Sequence, residues 1–166
     1  YSWSKEFLEA GKRRLAGEWV ALLESAAAKA PTAEARAVFD SHRLSPYLEI
    51  GEPQRAIPML EASERDLPGD YNPPARLAVA YREMKDYGRA LAASDRALAK
   101  AYGPRRLGIL RTRARIQAES GDRAAARATL ESTIAEAQAL PAGQVSERTL
   151  SALRLELAPY LAPTAL

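Results

Sequence analysis

The chain contains no cysteine and only one histidine among its 166 residues. Disulfide frameworks, thiol nucleophiles and thiolate clusters are therefore excluded within it, and a single imidazole cannot build a histidine-rich metal site. Aromatic residues make up 7%, and with few β-branched residues beside them there is little to pack a sheet. No uncharged apolar run approaches the ~18 residues of a membrane span, and no basic start leads into an apolar signal segment. Also missing are a glycine-rich phosphate loop, a Gly-x-Ser-x-Gly elbow and a His-Glu-x-x-His helix. No catalytic constellation, metal or cofactor is expected, and the chain does not read as an enzyme. What the sequence has instead is 35 Ala, 21 Leu, 19 Arg and 15 Glu, strong helix formers that predict an all-α domain over 1–166.

Net charge is +3, unevenly spread. Residues 1–67 sum to −2, residues 68–130 to +7 and residues 131–166 to −2. The chain starts at Tyr1, not Met, so it is expected to be part of a longer protein, and nothing in it assigns a compartment or an oligomeric state.

Three markers recur with one period. Gly17-Glu18, Gly51-Glu52, Lys85-Asp86 and Gly121-Asp122 read as turns; Ala21, Ala56, Ala90 and Ala126 follow them; Pro31, Pro68, Pro104 and Pro141 close each unit. Each unit reads as a helical hairpin, with a glycine-type cap ending the first helix, an acid opening the second and proline stopping it. The hairpins fall roughly at 2–31, 35–68, 72–104 and 105–141, with the first broken at Gly17. Pro46 and Pro58 predict kinked or shortened helices near 46–50 and 58. In 1–31, Trp3, Phe7, Gly11, Leu15, Trp19, Leu22, Ala26 and Ala30 keep a near-four spacing, which leaves one long helix as the alternative to a break at Gly17. Ser146 caps a last amphipathic helix, 146–161, whose Leu150, Leu153 and Leu157 would cover the final hairpin; Pro159 and Pro163 are expected to end the ordered chain.

Ala80-Tyr81, Lys85-Asp86-Tyr87, Ala90, Ala97-Leu98 and the closing prolines resemble the tetratricopeptide repeat (TPR), most fully over 72–102. The resemblance implies a right-handed superhelix of about four hairpins plus a C-terminal capping helix, with a concave face lined by first helices and used to bind proteins or peptides. On those helices it places a partner-binding groove made by His42, Asn72, Arg76, Arg82, Arg111 and Arg115. Arg76 and Arg111 would grip a carboxylate or phosphate, drawing an acidic peptide. The paired asparagines and lysines of the family's chaperone-tail clamp are not matched at Ser41, Ser45, Arg76, Gly108 and Thr112. The stretch from Ala35 through Asp70-Tyr71-Asn72-Pro73-Pro74 to Tyr102-Gly103-Pro104-Arg105 is also similar to helical repeats appended to bacterial thioredoxin-like proteins, which implies a recruiting arm whose redox chemistry lies elsewhere. A nucleic-acid reader is the third class, weakened because Arg105, Arg106, Arg111, Arg113, Arg115 and Arg123 lack interleaved aromatics for base stacking.

Overall fold

A computed structural model describes residues 2–162 and is entirely helical, with no strand among the described residues. The elements are α1 (Ser2–Ala28), α2 (Ala33–Ala37), α3 (Asp40–Glu49), a 3-10 turn at Pro53–Arg55, then α4 (Ala56–Asp66), α5 (Asn72–Glu83), α6 (Tyr87–Lys100), α7 (Arg105–Glu119), α8 (Arg123–Ala139) and α9 (Glu147–Leu161). Successive elements pack on one another: α1 lies on α3, α4 on α5, α5 on α6, α6 on α7, α7 on α8 and α8 on α9.

Where the 34-to-36-residue period is realised, one backbone device carries it. At Gly51, Lys85 and Gly121 the chain turns left-handed, with φ of 74°, 59° and 93°. The next amide in each case reaches back five residues, Glu52 to Tyr47, Asp86 to Tyr81 and Asp122 to Gln117, all at 2.9 Å. This satisfies carbonyls that a helix end leaves open. Asp86 and Asp122 then accept from the amides of Arg89 and Ala125, opening α6 and α8. The alanines that follow, Ala56, Ala90 and Ala126, are 0% exposed and let the paired helices come close. Each closing proline stands just beyond a helix, after α1, α4, α6 and α8.

The expected break at Gly17 does not occur. Helix α1 runs unbroken through it, because Gly17 keeps a negative φ and is flanked by helix formers. A single interior glycine costs only about 1 kcal/mol against alanine, which the helix formers on both sides of it absorb, while Val20, Leu23 and Ala27, packed at 2–6% exposure, anchor the C-terminal half of the helix. The first unit is thus one long helix, not a hairpin, and its Ala21 is exposed. The first helix of the second unit is itself split. Thr32 caps α2 by accepting from Ala35 N, and the chain turns at Val38 and Phe39 before α3 begins. Pro46 lies inside α3, which stops at Glu49. Pro58 falls in the first turn of α4, where its missing donor costs nothing, and the helix runs on to Asp66, so the expected disruption near 58 does not occur. Helix α9 continues through Pro159 to Leu161, and Pro163 lies outside the described residues.

The main core gathers Val20, Leu44, Tyr47, Leu60, Leu77, Ala78, Tyr81, Ala90 and Ile116. A second cluster under α9 joins Leu107, Ala137 and Leu153, with Leu150 packed against them.

Candidate functional site

The six residues expected to share one groove open into four separate depressions. His42 is exposed and lines a hollow of about 480 Å³ between α1 and α3, with Leu15, Trp19, Ser45 and Glu49. Asn72 and Arg76 come together in a cavity of about 580 Å³ between α2 and the start of α5, walled by Ala37, Val38 and Leu67 and rimmed by Glu34, Asp66 and Asp70. Arg82 lines a third depression with Glu119. Arg111 and Arg115 line a fourth with Glu156, Pro159 and Tyr160.

The local chain explains the second cavity. Asp70 accepts from both the backbone amide and the Nδ2 of Asn72 at 2.8 Å, which pins the entry to α5. Pro73 and Pro74, both buried, occupy its first turn, where the missing N–H groups go unused. Arg76 follows one turn later on the cavity side.

Three of the four groove arginines are held by the protein's own carboxylates. Arg82 donates from Nε to both oxygens of Glu119 at 3.0 Å and from Nη2 to Oε1 at 2.7 Å. Arg111 grips Glu156 in the same way, Nε to Oε1 at 3.1 Å and Nη2 to Oε1 at 2.6 Å, and Arg115 adds Nη2 to Oε1 at 3.0 Å. The hydrogen bond from Arg82 holds the Glu119 carboxyl below its usual range. Burial pushes Glu156 up, but Arg111 and Arg115 more than offset it. Such forked pairs satisfy the planar guanidinium, so Arg111 is not left to join Arg76 on an external anion. Among the described residues Arg76 has no ion pair or side-chain hydrogen bond; it acts on the buried Asp40 through its charge.

The wider basic segment is engaged in the same way. Arg106 pairs with Glu136, Arg113 with Asp95, and Arg123 donates to the Pro159 carbonyl while stacking over Tyr160. Arg105 lies over the Tyr102 ring. Sequence spacing does not mark Glu119 and Glu156 as partners of these arginines, although Glu156 stands three residues after Leu153, at the edge of the stripe that docks α9.

Among the described residues no group of histidines and acids could hold a metal ion, and no helix is long and apolar enough to cross a membrane. No family model, curated protein or solved structure matches the chain.

Proposed function

We propose that the chain is a non-catalytic interaction scaffold, built of tetratricopeptide-like helical hairpins, that docks a partner protein or peptide by one carboxylate at the Arg76 cavity. The observation that carries this reading is the state of the arginines: Arg82, Arg111 and Arg115 are spent on internal pairs, while Arg76, whose charge reaches the buried Asp40, makes no ion pair among the described residues and lines a cavity with apolar walls. Asp66 pairs with Arg36 and Asp70 accepts from Asn72, and neither forms an ion pair with Arg76. The acidic rim disfavours a run of acidic residues and suits an apolar segment that ends in a single carboxylate, such as a chain terminus. Val38, 64% exposed, offers that segment an apolar contact.

Titration with short apolar peptides bearing a free C-terminus, against amidated copies, tests the reading. Binding is expected only to the free carboxylate, and Arg76→Ala should weaken it by about 1.5–3 kcal/mol, the range for a hydrogen bond to a charged group. Arg65→Ala and Arg127→Ala, on exposed second-helix faces, should change it by less than about 0.5 kcal/mol at moderate salt. Equal losses from all three would mean that the peptide responds to net charge alone.

A further inference from the structure

Helix α1 carries two apolar faces, and the fold uses one. Val20, Leu23 and Ala27 are buried against the body. The near-four-spaced stripe is left in the open: Leu8 is 63% exposed, Leu15 60%, Trp19 50% and Leu22 58%, with Phe7 beside them at 81%. From Lys5 to Leu15 every residue except the half-buried Gly11 is exposed, so the outer half of the helix has almost no tertiary support, and an unsupported segment of that length is marginal in water.

The stripe is self-complementary. At 100° per residue, Leu8 and Leu22 lie about 20° either side of Leu15, and Gly11 and Trp19 about 40° either side. Each pair is also equidistant from Leu15 along the axis. Reversed on a copy of itself about Leu15, the helix sets Leu8 against Leu22 and Leu15 against Leu15, and brings the bulky Trp19 level with Gly11, which has open space around its Cα. The flanking charges agree. On one edge Glu18 meets Arg14 of the other copy; on the other edge Lys12 meets the face of Trp19. Helix α3 flanks one side of the stripe, where Ser41, His42, Ser45 and Glu49 share a hollow with Leu15 and Trp19, and the opposite side is left clear.

We propose that two copies of this chain associate through α1, antiparallel about a two-fold axis at Leu15. This goes beyond the docking role of Arg76 and does not depend on it. An isologous contact of this kind closes on itself as a dimer. The stripe from Leu8 to Leu22 runs about 21 Å at 1.5 Å per residue, so the area it covers falls short of the roughly 800 Å² per side of standard complexes. The dimer is therefore reversible and dependent on concentration.

Sedimentation from low-micromolar to high-micromolar concentration should show monomers giving way to dimers. Leu15→Glu, which sets two carboxylates against each other at the axis, should weaken association at least about tenfold while leaving the helical circular dichroism of the chain intact. Glu18→Arg and Arg14→Glu should each weaken it several-fold, and the double variant should recover it. Because the chain has no cysteine, Leu15→Cys provides a single thiol that should form a dimer-linking disulfide on mild oxidation. A chain that stays monomeric throughout, or a Leu15→Glu variant that associates like the parent, would overturn the proposal. So would a double charge swap as weak as either single variant, since the antiparallel register demands the rescue.

Discussion

Asp40 opens α3 with its side chain 0% exposed, and neither carboxylate oxygen completes a hydrogen bond; the Ser63 hydroxyl, equally buried, completes none either. Burial pushes the Asp40 pKa up, and the facing Ser63 with Arg76, Arg43 and Arg36 offsets this only in part. A carboxyl whose folded pKa lies above its unfolded one favours the fold while protonated and loses that contribution as pH rises through the folded value. Asp40→Asn removes the charge at constant shape, so it is expected to raise stability by about 1 kcal/mol at pH 7, with a smaller gain at an acidic pH, as the parent carboxyl takes up its proton. Urea midpoints at the two pH values would show this, and an equal gain at both would reject the assignment. Glu24 behaves oppositely. The Tyr47 hydroxyl, donating at 2.7 Å, with Arg55 and Arg43, holds its carboxyl below the usual range. Its contribution is present at neutral pH and is lost as pH falls through that depressed value. Since Tyr47 is 1% exposed in the core and Arg55 also reaches Glu24 at 2.7 Å, acid should loosen the docking of α1 on α3.

At the scale of elements, the left-handed turn matters more than the residue that makes it. Gly51 and Gly121 enter that region without a Cβ penalty, whereas Lys85 does the same at φ 59° with a full side chain. Its position was legible because Lys85-Asp86 falls in step with Gly51-Glu52 and Gly121-Asp122, and the structure shows the same reach-back hydrogen bond at all three. Lys85→Gly should stabilise the α5–α6 hairpin by about 0.5–1 kcal/mol, since glycine adopts this conformation freely. Thermal unfolding that leaves the midpoint unchanged or lower would show that the lysine is not strained. Gly17 shows the limit of this reasoning. It carries the same glycine-then-acid signature as Gly51 and Gly121 but lies within α1, where it keeps a negative φ between helix-forming neighbours. A local turn signal competes with the helix propensity of the residues around it, and only the folded chain reveals which prevails.

Across the whole molecule, the uneven charge works as a fastening between neighbouring units. The central +7 segment takes carboxylates from both flanks: Arg96 from Glu64 on α4, Arg106 from Glu136 on α8, and Arg111 with Arg115 from Glu156 on α9. Exposed pairs of this kind contribute little singly, and each of these joins two separate helices. Removing residues 144–166 takes away Leu153, which is 0% exposed against Leu107 and Ala137, and also releases Arg111 and Arg115. The truncated chain is expected to melt at lower temperature and to bind a dye specific for apolar surface; unchanged melting without dye binding would contradict the covering role of α9. The same fastening removes much of the free positive charge that a nucleic-acid reader would need.

The all-helical class, the boundaries of α5 to α9 and the buried alanines were legible in the sequence, because helix propensity, caps and apolar spacing are set by residues within a few positions of one another. The fate of the groove was not. Arg82 and Glu119 are 37 residues apart, and Arg111 and Glu156 are 45 apart, so whether an arginine faces a ligand or a carboxylate of its own chain depends on how distant helices meet. The choice between the two apolar faces of α1 was likewise closed to the sequence. Both repeat at helical spacing, and only docking on α3 buried Val20, Leu23 and Ala27 while leaving Leu8, Leu15, Trp19 and Leu22 in the open.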